Sequence, residues 1–303
     1  MKWKRNTGFD RIEDRRGQGG GGGFGSVLSG GGGGLPIPIP GGKAGGGIGG
    51  LLIFVVIAFL LFSGVLGGGS GGLGGLSGLQ PGAAEPGGTL NPQNDTDQFL
   101  AWATQDIQVF WEKTFEANGQ QVPMQDLVLF EGSTSSGCGP ASSATGPFYC
   151  PADQKVYLDL GFFDELQSRF GAQGGDTAIA YVVAHEYGHH IQTVIGISDE
   201  VQRLAQSDPG RRNDLSVRQE LQADCLAGIW AHSSAANMEA GDIAEAIDAA
   251  AAVGDDRIQE KTTGRIDREG WTHGSSEQRV AWFSKGYQTG VINDCDTFGA
   301  SSL

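Results

Sequence analysis

Basic residues are scarce in this 303-residue chain: 20 Lys and Arg stand against 35 Asp and Glu, for a formal net charge of −15. Nucleic-acid binding needs clustered Lys and Arg against the phosphates, so the composition argues against that class of partner. Cysteine is scarcer still. Cys138, Cys150, Cys225 and Cys295 are the four, and no two form a C-x-x-C pair, which leaves a four-cysteine zinc site without its usual spacing. No internal repeat is present. Glycine is plentiful but badly placed for a core, since 32 of the 53 glycines precede residue 91. The first 90 residues therefore cannot build a compact interior. Ordinary globular composition begins near Asn94 and leaves room for one domain with a buried core.

Charge is also uneven. Before residue 51 there are seven basic and three acidic residues, a local +4, so the remainder carries −19. Residues 48–66, IGGLLIFVVIAFLLFSGVL, form an uncharged run. About 20 apolar residues span a bilayer, and basic residues on the N-terminal side keep that end in the cytoplasm. The sequence predicts a cytoplasmic segment over 1–47, basic and then Gly/Pro-rich and disordered. A transmembrane signal anchor over 48–66, a Gly-rich linker over 67–93 and an exported domain over 94–303 follow. A cleaved signal peptide competes with this reading, but the apolar run starts far from Met1. The implied location is a bacterial inner membrane, crossed once, with the domain periplasmic or extracellular. Four cysteines in an oxidising compartment imply two disulfides. Of the three pairings, Cys138–Cys150 is the local choice, and Cys225–Cys295 would then tie a central helix to the C-terminal tail.

Within 94–303, apolar and aromatic residues at helical spacing predict a helix over 96–117. LVLF at 127–130 and KVYLDL at 155–160 read as strands, and 166–170 as a short helix. The run AIAYVVAHEYGHHIQTVIG predicts a helix over 177–195, with Asp176 to cap it and Gly196 to end it. Ser216 and Gln219 suggest a capping box for a helix over 217–236, and Asp242 with Glu245 another for the Ala-rich helix that follows. Ser275 or Ser276 opens a last helix ended by Gly290. A few strands followed mostly by helices indicates an α+β fold in which helices dominate.

Inside the central helix lies H-E-x-x-H, His185 to His189. Residues four apart share one helix face, so His185 and His189 can bind one zinc ion, with Glu186 beside them as a general base. Gly188 is a weak helix former that can give metal or substrate room. Catalytic zinc usually takes three protein ligands. RQELQADCLAGIW offers Glu220 as the third, and Asp224, four residues on, as acceptor for the free N–H of a ligating histidine. Buried carboxylates without partners are costly, which favours these roles over a solvated acidic face.

HEYGHHIQ followed by LQADCLAG resembles the E-x-x-A-D version of the gluzincin zinc proteases. More closely, GCGPASSATGPFYCPADQKVYLDLGFFDEL, AHEYGHHIQ, ELQADCLAGIWA and THGSSEQRV resemble the neutral zinc metallopeptidase family, across about 95–300 and in the basic stub and apolar segment before it. The resemblance implies a zincin-like fold, one catalytic Zn2+ held by His185, His189 and Glu220, and hydrolysis of peptide bonds with Glu186 as base. A donor to the developing oxyanion is also needed. His273 in THGSSEQRV is the candidate, helped by Arg279, with Tyr157 weaker; a structural His at a helix start is the competing reading of His273. Residues 156–160 could be an edge strand that receives an extended peptide. His190 points about 100° away from His189 and reads as structural, and nothing near His232 supports ligation. Two other functions share these residues: a noncatalytic envelope binding module with structural zinc, and a zinc amidase acting on peptidoglycan.

Overall fold

Six strands, all before residue 160, and a helix-dominated remainder make up the described residues in a computed structural model that describes residues 1–5, 8–17 and 90–303. The Gly/Pro-rich stretch at 18–47, the apolar run at 48–66 and the expected linker over 67–93, apart from its last four residues, lie outside the described residues. No helix among the described residues is long and apolar enough to cross a membrane.

Helix α1 (Asp95–Glu116) starts where Asn94 accepts the Asp97 amide, and it buries the predicted stripe of Phe99, Trp102, Ile107, Trp111 and Phe115. Strands β2 (Leu127–Phe130) and β6 (Lys155–Asp159) pair in parallel, as fully buried apolar strands do when both faces are covered. Between them lie the hairpin β3 (Ser133–Ser136) and β4 (Gly139–Ser142) and the short strand β5 (Phe148–Cys150), which pairs antiparallel to β6. Cys138 and Cys150 are bonded across this segment, as expected. Since β6 lies between β2 and β5, it cannot be the expected peptide-receiving edge; the edges are β5 and a strand from the start of the chain.

That strand, β1 (Ile12–Asp14), runs parallel to β2, with Ile12 opposite Leu127. Arg16 fastens it, pairing both nitrogen edges of its guanidinium with Asp14 and with Asp97 at 2.9–3.0 Å. Lys155 bonds Glu13 at 2.7 Å, and the Trp3 indole N–H donates to Asp176. The expected domain start at 94 is therefore corrected: residues 1–5 and 8–17 belong to the fold. The expectation of a disordered stub set apart from the domain does not hold for these residues.

The helical half comprises α2 (Gly161–Ser168), α3 (Asp176–Val194), α4 (Ile197–Ser207), α5 (Arg212–Ser233), α6 (Asp242–Ala252), α7 (Asp255–Thr263) and α8 (Ser276–Thr289). Gly196 ends α3 as expected, but in a left-handed conformation that leads straight into α4. Helix α5 begins five residues earlier than predicted, because Ser216 is no cap: its hydroxyl donates to the Thr272 carbonyl. Asp242 likewise caps nothing, and Gly241 stands at that N-cap. The Ser275–Gln278 box on α8 is present. Helices α5 and α8 cross closely: a Cβ on Gly228 would collide with the Phe283 carbonyl, and one on Gly286 with that of Cys225. The second predicted disulfide, Cys225–Cys295, joins α5 to the C-terminal segment.

Candidate metal centre

Helix α3 is apolar from Ala178 to Ala184 and sinks into the core, which carries His185, Glu186 and His190 inside with it. It lies against α5 at Gly188, where a Cβ would come 3.1 Å from the Ala223 backbone. The role of this glycine is thus helix approach; room for metal or substrate is not what it provides. Close approach brings the E-x-x-x-D face of α5 onto the histidine face of α3.

His185 Nε2 lies 3.1 Å from Glu220 Oε2, and His189 Nε2 lies 3.4 Å from Glu220 Oε1. One ligand atom from each of the three residues falls within 4.8 Å of the others, and among the described residues this is the one such group of His, Cys, Asp or Glu. The far side of each ring is held. His185 Nδ1 lies 2.8 Å from Asp224 Oδ1, and His189 Nδ1 lies 2.9 Å from Gln192 Oε1. With Nδ1–H donating to an oxygen, each Nε2 keeps a lone pair for a metal. The donor set of two imidazoles and a carboxylate therefore fits Zn2+.

Asp224 has no solvent exposure. Tyr181 OH donates to its Oδ1 at 2.6 Å, and Arg279 donates Nε to Oδ2 at 2.8 Å and Nη2 to Oδ1 at 2.9 Å. Burial works against its ionisation, but Arg279 and His185 outweigh it and hold the carboxyl down at about 2. Arg279 is thus committed to Asp224 and corrects the expectation of a free donor to substrate. Burial also penalises the charged forms of Glu220 and His185. His189, His273 and His185 nevertheless keep Glu220 well below the usual carboxylate range, while Asp224 and Glu220 raise His185 to about 9.

Glu186 is buried beside the cluster and makes no hydrogen bond or ion pair with the described residues. Burial pushes its carboxyl up, against the pull of His185 and His189. His273 lies close enough to Glu220 for the two to influence each other's ionisation. Asp255 orients it: Oδ1 lies 3.2 Å from His273 Nδ1, and Oδ2 accepts the backbone amides of Thr272, His273 and Gly274 at 2.6–3.0 Å. The Ser216–Thr272 bond fixes this loop one helical turn before Glu220.

Tyr157 is not at the site; its hydroxyl donates to Asp153 and its ring stacks on Phe148. His190 is structural, lying between Tyr149 OH and the Pro123 carbonyl. His232 bonds the Tyr287 carbonyl far from the cluster. Sequence reasoning missed Tyr181, Gln192 and Asp255. Tyr181 and Gln192 do carry a local signal, lying four residues before His185 and three after His189.

A family model described as "Putative neutral zinc metallopeptidase" matches residues 1–298. The chain is 38% identical to "Uncharacterized protein YpfJ" of Escherichia coli (strain K12) over 309 residues, which cover 99% of this chain and 100% of that protein. It is 52% identical to "Uncharacterized protein Rv2575" of Mycobacterium tuberculosis (strain H37Rv) over 187 residues, 58% of this chain and 62% of that one. No solved structure matches. The matched span takes in β1 and every residue of the candidate centre, and the chain belongs to the neutral zinc metallopeptidase family.

Proposed function

We propose that this domain is a zinc endopeptidase, of zincin-like fold, in which His185, His189 and Glu220 hold the metal and Glu186 is the general base. The observation that carries the reading is the convergence of three ligands, two with their far nitrogens held, beside a buried carboxyl that has no other partner. Zinc in such a site acidifies a bound water to a pKa of about 7 and polarises a carbonyl.

The residues of the chain do the rest. Glu186, whose carboxyl burial pushes up, takes a proton from the attacking water and returns it to the leaving amine. His273, with Nδ1 fixed by Asp255, presents Nε2 as the donor to the oxygen that gains charge. Asp224 and Arg279 keep His185 in one tautomer and one orientation. The two disulfides support an exported domain.

A structural zinc closes all four positions with protein ligands. Among the described residues the cluster has three, which favours catalysis over a noncatalytic binding module. The test is Glu186→Gln in the full chain, with zinc content and cleavage of a peptide library measured on one sample. Zinc should stay and hydrolysis should vanish; hydrolysis at the wild-type rate would sink the mechanism. A parallel muropeptide digest separates this reading from a peptidoglycan amidase.

A further inference from the structure

The support of His189 is of a different kind from that of His185. Its partner, Gln192, is fully buried, and both amide hydrogens are spent: Nε2 donates to the Gln219 carbonyl at 2.8 Å and to Gln222 Oε1 at 3.0 Å. This fixes which end of the amide faces His189, so Oε1 accepts from Nδ1–H and Nε2 of the ring is left for the metal. Gln222 in turn donates its Nε2 to the Cys295 carbonyl at 3.1 Å. Cys295 is bonded to Cys225, the neighbour of Asp224, which holds His185. The supports of both histidines therefore meet at one covalent bond between α5 and a segment 70 residues further along.

We propose that Gln192 and Gln222 are positioning residues for His189, and that the Cys225–Cys295 disulfide, by fixing the end of their relay, sets the zinc affinity of the centre. The inference rests on the zinc reading above. In the dithiol form the C-terminal segment is held by weaker bonds, such as that from Thr297 Oγ1 to the Arg218 carbonyl, and Gln222 loses a fixed acceptor. Oxidation removes two electrons and two protons from the two thiols and passes them to a disulfide oxidant, which leaves as a dithiol. The new S–S bond completes the relay. Zinc loading thus follows disulfide formation and is favoured outside a reducing compartment.

The test is zinc affinity in the full chain, by competition with a chromophoric chelator, with the visible spectrum of the Co2+ form as a second readout. Gln222→Met keeps the disulfide and the side-chain volume. The double variant Cys225→Ala/Cys295→Ala removes the anchor. Both should bind zinc about 10- to 100-fold more weakly and shift the Co2+ bands. The control, Cys138→Ala/Cys150→Ala, removes the other disulfide and should bind as wild type does. Unchanged affinity in the first two variants overturns the proposal, and so does an equal loss in the control. Wild-type protein that binds zinc no better than His189→Ala would instead bring down the zinc reading, and this inference with it.

Discussion

On the helical side, Asp224 is sealed from solvent and its two oxygens are shared among Tyr181, His185 and Arg279. On the strand side, buried Asp14 and Asp97 share one guanidinium, that of Arg16. Both are buried ionic networks, yet they reach different ends. The first terminates on His185, whose other nitrogen faces Glu220 in the candidate metal centre, so its geometry bears on the proposed chemistry. The second terminates on β1 and α1, so its geometry becomes attachment of the chain start to the sheet. A buried charge network by itself does not mark an active site; what lies at its end does.

Four measurements bear on this contrast. Asp224→Ala should have the largest effect, leaving Arg279 as an unpaired buried cation at about 3–5 kcal/mol of stability and weakening zinc binding about 10- to 100-fold. Urea unfolding and chelator competition would show it, and unchanged values in both would erase the difference between the two sides. His273→Ala should lower kcat about 10²- to 10³-fold, with zinc content and unfolding midpoint unchanged. Loss of zinc in that variant would move His273 into the ligand set.

Arg16→Ala should cost about 1.5–3 kcal/mol yet leave zinc affinity alone; coupled loss of zinc would show that the strand side also serves the centre. The smallest effect is a pH dependence. Burial opposes ionisation of Glu13 and Asp14, but Arg15, Lys155 and Arg16 hold both carboxyls below their ordinary values. Such groups stabilise fully above the unfolded carboxylate pKa of about 4 and lose that contribution as pH falls through the lower folded values. Wild-type unfolding midpoints should therefore fall more than those of Arg16→Ala between pH 6 and pH 3. Parallel curves would remove Asp14 from the account.

Much of the centre is legible because its parts are local. His185 and His189, and Glu220 and Asp224, are pairs spaced four apart on helices whose apolar periodicity is plain. The aromatic stripe of α1 and the capping box of α8 are legible for the same reason. Capping at Ser216 and Asp242 misleads, because a side chain that matches a local motif can be claimed by a distant partner, here the Thr272 carbonyl in the case of Ser216. Asp255 gives no signal in the sequence as the orienter of His273. Its loop geometry exists only once α7 and α8 are in place.

The sequence alone determined the pairs His185/His189 and Glu220/Asp224, each spaced four apart on one helix face, and the helix-rich class, since each depends on residues within a few turns or on composition. Tertiary structure alone decided that Arg279 clamps Asp224, that Gln222 reaches Cys295, and that residues 12–14 complete the sheet beside Leu127. Those contacts join residues 55, 73 and 115 positions apart. Local spacing cannot specify them: the chain meets itself at such distances only where burial outweighs the entropy of closing the loop.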